Sequence, residues 1–109
     1  MGTLHYADED EVHLEDELLE HLRVVATTKF RRGEPFAITV LRPNDPTRGR
    51  TTYWMHPSTT YRFTFETAVG RPLDQSLLST LMSDATTNAG ITVHELAGLA
   101  DKTTAIPAA

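Results

Sequence analysis

The chain has 109 residues, with 10 Lys and Arg against 15 Asp and Glu, and no cysteine. That length makes one domain with one modest core. The missing cysteines exclude disulfides, thiolate nucleophiles and cysteine-ligated zinc. No apolar run approaches a membrane span, and the start MGTLHYADEDE has neither a basic nor an apolar leader region. The expectation is a cytoplasmic protein with no membrane partner.

The net charge of −5 hides a split. Residues 1–22 carry eight acids and no Lys or Arg. Residues 23–71 carry nine bases against three acids, and residues 72–109 carry Lys102 against four acids. The middle could therefore face a polyanion although the whole chain is acidic. The plainer reading is that the acidic start folds back on that basic middle.

Two extended runs, 3–6 and 11–14, flank an acidic stretch and predict a hairpin. A loop of Asp8, Glu9 and Asp10 would set His5 opposite His13. Such a pair is either an ordinary polar cross-strand contact or two ligands of a metal lacking a specified third.

Leu18, Leu19, Leu22, Val25, Ala26 and Phe30 then recur at helical spacing and predict a helix over 16–32. Asp16 is its expected N-cap. Glu15, Asp16, Glu17 and Glu20 lie at the positive end of its dipole, and Lys29, Arg31 and Arg32 at the negative end. Gly33 is the expected C′ residue, and Pro35 forbids continuation.

Residues 36–42 read as a strand apolar on both faces, hence central. The cluster PNDPTRGR at 43–50 is a turn, and 51–56 is the returning strand. Parity puts Tyr53 and Met55 on one face and Trp54 and His56 on the other. A large aromatic usually drives burial, which would put Trp54 in the core. The opposite choice would leave an exposed aromatic beside cations, the platform on which single strands stack. Residues 60–66 alternate, with Tyr61, Phe63 and Phe65 inward. A second helix is expected over 74–88, capped by Asp74 and stopped by Gly90, and a last strand over 91–94. The expected class is α+β, in the order ββ-α-βββ-α-β: an antiparallel sheet with two helices on one face, as a single domain over 1–95 and a weakly ordered tail over 96–109.

No glycine opens a phosphate-binding loop, and no serine sits in a nucleophile elbow. His56-Pro57-Ser58 is adjacent in sequence only, which is no catalytic geometry.

The stretches MGTLHY, HLRVVATTKFRRGEPF (21–36), GRTTYWMHPS (49–58), YRFTF (61–65) and SLLSTLMSDATTNAGI (76–91) resemble a family of short bacterial proteins. Its members are commonly labelled ATP-dependent DNA ligase. A ligase nucleophile needs a lysine in a K-x-D-G setting. Lys29 is followed by Phe30-Arg31-Arg32 and Lys102 by Thr103-Thr104, so the resemblance implies at most a ligase-associated accessory module.

The reading that results is a small binding module without catalysis or cofactor, meeting nucleic acid or another polyanion. Its contacts would be Lys29, Arg31, Arg32, Arg48, Arg50, Trp54 and His56. The alternative is a homo-oligomer joined through a sheet face or edge, with no nucleic-acid role. The two basic clusters should lie at opposite ends of the 36–42/51–56 hairpin, about 20 Å apart at ~3.3 Å per residue.

Overall fold

The computed structural model describes residues 2–7, 10–43 and 45–96. Its elements follow in the order β1 (Gly2–Tyr6), β2 (Asp10–Leu14), α1 (Asp16–Arg31), β3 (Phe36–Leu41), β4 (Arg50–Met55), β5 (Tyr61–Thr64), α2 (Gln75–Ala85) and β6 (Ile91–His94). The α+β class and the element order are those read from the sequence. Of the expected tail, Leu96 is buried and its N–H donates to the His13 carbonyl at 2.8 Å. Residues 97–109, with Lys102, lie outside the described residues.

The strands divide between two three-stranded sheets, β2-β1-β5 and β4-β3-β6, where one antiparallel sheet was expected. Alternation tells which residues share a face, not which strand lies next door. The edge of β4 is closed to β5 by tyrosine hydroxyls. Tyr6 and Tyr61 both donate to the Trp54 carbonyl, at 3.1 and 3.3 Å, and the His56 N–H donates to the Tyr61 oxygen at 2.6 Å. Strand β5 pairs instead with β1, Leu4 opposite Phe63. Strand β6 joins β3 in parallel, Ile38 opposite Ile91, after the crossover through α2.

Strand β3 is central in its sheet, as its two apolar faces predicted. Its inward residues Phe36, Ile38 and Val40 are buried with Tyr53 and Met55 of β4 and Ile91 and Val93 of β6. From the other sheet come Leu4, Val12 and Leu14. Helix α1 packs on β1 and along α2, while α2 lies over β3 and β6. An aromatic run joins the layers: Tyr53 to Tyr6 at 5.0 Å, Tyr6 to Tyr61 at 5.5 Å, Tyr61 to Phe30 at 5.4 Å and Phe30 to Phe36 at 5.9 Å. These spacings fall within the range of favourable ring contacts.

Helix α1 ends as its sequence dictates. The Gly33 N–H donates to the Phe30 carbonyl and the Glu34 N–H to the Lys29 carbonyl, with Gly33 at φ 69°, which is a Schellman motif. Its start differs from expectation. Glu15 is the N-cap, without a side-chain bond, and Asp16 is the first helical residue. Asp16 is buried and accepts from the Glu66 N–H, so its carboxylate serves a tertiary contact instead of the helix end. At α2 the expected cap holds: Asp74 accepts from the N–H groups of Ser76 and Leu77. That helix stops at Ala85, short of residue 88, where Thr86 and Thr87 hydroxyls donate to the Ser83 and Asp84 carbonyls.

The two helices are pinned by His21, which is 0% exposed. Its Nδ1 donates to the Glu17 carbonyl at 2.6 Å, and its Nε2 accepts from the Asp74 N–H at 2.8 Å. One buried imidazole thus joins α1 to the cap of α2.

Candidate nucleic-acid interface

The second sheet turns one face to the core and the other to solvent. Register places Trp54 beside Ala37, Thr52 beside Thr39, and Arg50 beside Leu41. Across β3 the same rows continue to Thr92 and His94. The outward face of these strands therefore carries Arg50, Thr52, Trp54, Thr39, Leu41, Thr92 and His94, and no carboxylate. Trp54 is 56% exposed, while Tyr53 and Met55 are buried. The burial expected of a large aromatic does not occur here, because the two residues flanking it in β4 fill the core. The Thr39 and Thr52 hydroxyls bond each other at 2.9 Å along the middle row.

The predicted cations divide. Arg31, Arg32 and Arg50 are exposed. Among the described residues none of the three has a carboxylate within ion-pair reach. Arg48 is held by Asp45, Nε to Oδ2 at 2.9 Å. Asp45 also accepts from the Thr47 hydroxyl and N–H, and these bonds with Arg48 hold its carboxyl well below the usual range. Lys29 is 6% exposed, and its Nζ meets Glu34 at 3.3 Å. It lies on the buried stripe of α1, where Leu22, Val25 and Ala26 also point, so it is withdrawn from any phosphate. His56 is half-buried, and its Nδ1 accepts from the Ser58 N–H at 3.1 Å and meets the Ser58 hydroxyl at 2.7 Å. That pair closes a turn after β4.

Arg31 and Arg32 leave α1 near Phe36, which pairs with Met55, whereas Leu41 pairs with Arg50 at the other end. The two basic groups thus stand at opposite ends of the β3–β4 hairpin, with Trp54 close to the first and Arg50 at the second. The acids of the first turn of α1 stand about 24 Å from its last, at 1.5 Å per residue over 16 residues. At physiological salt that is about three Debye lengths, so they do little to cancel the basic end.

The histidine pair of the first hairpin falls out of line. His5 lies opposite Glu11, and His13 opposite Thr3. The loop begins one residue earlier than expected, at Ala7, which shifts the register by two and keeps the faces. His5 Nδ1 lies 3.4 Å from Glu11 and 3.2 Å from Arg62, and no metal-holding group forms among the described residues. A recess of about 190 Å³ lies beside the first turns of α1, walled by Asp16, Glu20, Phe65, Val69 and Arg71. It is below the volume of ordinary small-molecule sites.

Sequence reasoning missed the network that holds the two sheets together. Arg42, 4% exposed, donates to Glu95 at 2.6 Å, to the Thr51 hydroxyl at 2.8 Å and to the Tyr53 hydroxyl at 3.0 Å. Tyr53 in turn donates to Asp10 at 3.2 Å, and Glu95 accepts from the His13 N–H at 3.1 Å. Burial opposes the Arg42 charge, but the bonds to Tyr53 and Glu95 outweigh it and raise its pKa. The signal was present. The inward parity of Phe36, Ile38 and Val40 continues to Arg42, and that of Ile91 and Val93 continues to Glu95.

Residues 1–96 match the family described as Domain of unknown function (DUF7882), and the chain belongs to that family. No curated protein and no solved structure matches it.

Proposed function

We propose that this member of the family is a binding module for nucleic acid, acting through the solvent face of the β4-β3-β6 sheet and the cations at its two ends. The observation that carries the reading is Trp54. An indole 56% exposed on a face with no carboxylate, on the same strand as Arg50, which no described acid neutralises, offers an unpaired base a ring to stack on. Phosphates would meet Arg31 and Arg32 at one end and Arg50 at the other, with Arg48 held in place by Asp45. Catalysis is not part of this reading. Lys29, the only lysine among the described residues, is buried against Glu34 and lacks the K-x-D-G setting. The ligase label carried by the proteins this chain resembles then points to an accessory that holds DNA, not to nucleotidyl transfer.

Fluorescence anisotropy with labelled oligonucleotides tests this at salt concentrations from about 50 to 200 mM, the range over which phosphate contacts show most clearly. Binding should weaken with salt, and Arg31→Ala with Arg32→Ala should flatten that dependence. Deleting one arginine–phosphate pair takes about 0.7 to 0.9 off the slope of log K against log salt. Arg50→Ala should act independently. A protein indifferent to DNA and RNA at low salt would defeat the proposal. If the same substitutions instead shift the oligomer distribution in sedimentation, the face serves self-association.

A further inference from the structure

We infer that the occupant of this face is a single strand, with one base stacked on Trp54 and the backbone following β4 towards Arg50. The inference rests on the proposed nucleic-acid role and adds to it the strandedness of the ligand and its path.

The chemistry of the face favours an unpaired strand over a duplex. A major groove admits a helix or a two-stranded ribbon. Here Arg50 and the indole lie on the broad face of a three-stranded sheet, while Arg31 and Arg32 stand at the end of α1. A duplex also keeps its bases stacked on one another, so it offers the Trp54 ring no π-face. An unpaired base does offer one, and stacking on an aromatic tolerates any sequence.

The length fits as well. Trp54 and Arg50 share the outward side of β4, four residues apart, which is about 13 Å at ~3.3 Å per residue. That span holds a short run of nucleotides. Between them lie Thr52 and Thr39, whose hydroxyls present hydrogen-bonding groups and no charge. The strand would enter by Arg31 and Arg32, cross the indole and leave by Arg50. The charge of the face is complementary to this occupant, since none of its outward residues is an acid.

The chain has one tryptophan, so its indole emission reports on Trp54 alone. The probes are a thymidine oligonucleotide of about 12 units, a uridine oligonucleotide of the same length, a duplex of equal length and an abasic strand with the same number of phosphates. The length lies within the usual range of single-strand sites. The two single strands should quench Trp54, and the thymidine–uridine difference separates DNA from RNA as the preferred source. The duplex and the abasic strand should leave the emission unchanged. Trp54→Ala, at an exposed position, should fold as the parent does and bind single strands about 5- to 100-fold more weakly, whereas Trp54→Phe should recover part of that affinity. Duplex bound as tightly as single strand, with no effect of Trp54→Ala, overturns the inference and leaves the nucleic-acid role standing. Absence of binding to all four probes overturns both. Trp54-dependent dimers without nucleic-acid binding also overturn both.

Discussion

Replacing Arg42 by Met should destabilise the fold strongly. The guanidinium makes three side-chain hydrogen bonds, to Glu95, Thr51 and Tyr53. Met fills similar volume but donates none of them. Glu95 would keep the His13 N–H and be left without its counter-ion while its side chain is only 13% exposed. Breaking a buried ion pair from one side costs about 3–5 kcal/mol. The partial opening of Glu95 to solvent argues for the lower end, about 3 kcal/mol, or a fall of roughly 12–24 °C in Tm for a domain of this size. The second substitution gives the sharper test. Glu95→Gln alone should also destabilise, but in the Arg42→Met background it removes an uncompensated charge and should restore about 1–2 kcal/mol. Urea unfolding of the four proteins measures the cycle. A cost for Arg42→Met below about 1 kcal/mol, the scale of an exposed pair, would refute the reasoning. So would a further drop in stability when Glu95→Gln is added to it.

Two further outcomes are expected. Burial raises the pKa of Tyr53, against an opposing bond from Arg42, and burial with the neighbouring Tyr61 and Asp10 raises that of Tyr6. A neutral group whose folded pKa lies above its unfolded value of 10.0 contributes stability that is whole below pH 10 and is lost as pH rises through the folded pKa. The urea midpoint should therefore fall as pH rises above about 10, and by less in Tyr53→Phe; an equal fall in both proteins would count against it. Gly33 and Gly90 both have positive φ, but a Cβ on Gly33 meets nothing, whereas one on Gly90 runs into the Ala37 carbonyl. Gly33→Ala should cost about 1 kcal/mol and Gly90→Ala several times more, and equal costs in thermal unfolding would show that the Gly90 backbone can give way.

What could be read from the sequence was local. The Schellman end at Gly33 and the Asp74 cap depend on residues within one turn, and both were legible. The start of α1 differs by one residue because Asp16 looks like a cap and is in fact engaged by Glu66, 50 positions away. Parity placed Trp54 opposite Tyr53 but could not choose the inner side. Arg50 and Thr52 share its parity, and taking them into account favours solvent for all three. The division into two sheets was not legible, because it depends on Tyr6 and Tyr61 reaching the Trp54 carbonyl across the fold. Among the expected contacts, Lys29 fell on a helical stripe whose other members are apolar. Weighing that stripe against the charge cluster would have turned it inward.

The parallel pairing of β6 with β3 also bears on the order in which the chain can be assembled. The two hairpins, β1 with β2 and β3 with β4, join near neighbours and can form as soon as they are made. Completing the sheets requires contacts from residue 4 to 63 and from residue 38 to 91. Such distant closures slow folding, since chain entropy is spent before the contact stabilises anything. The last of them also delivers Glu95. During synthesis Arg42 thus emerges 53 residues ahead of its counter-ion, and until then it cannot be buried at low cost. Until β6 arrives, the edge of β3 that it will pair with stays open beside that charge.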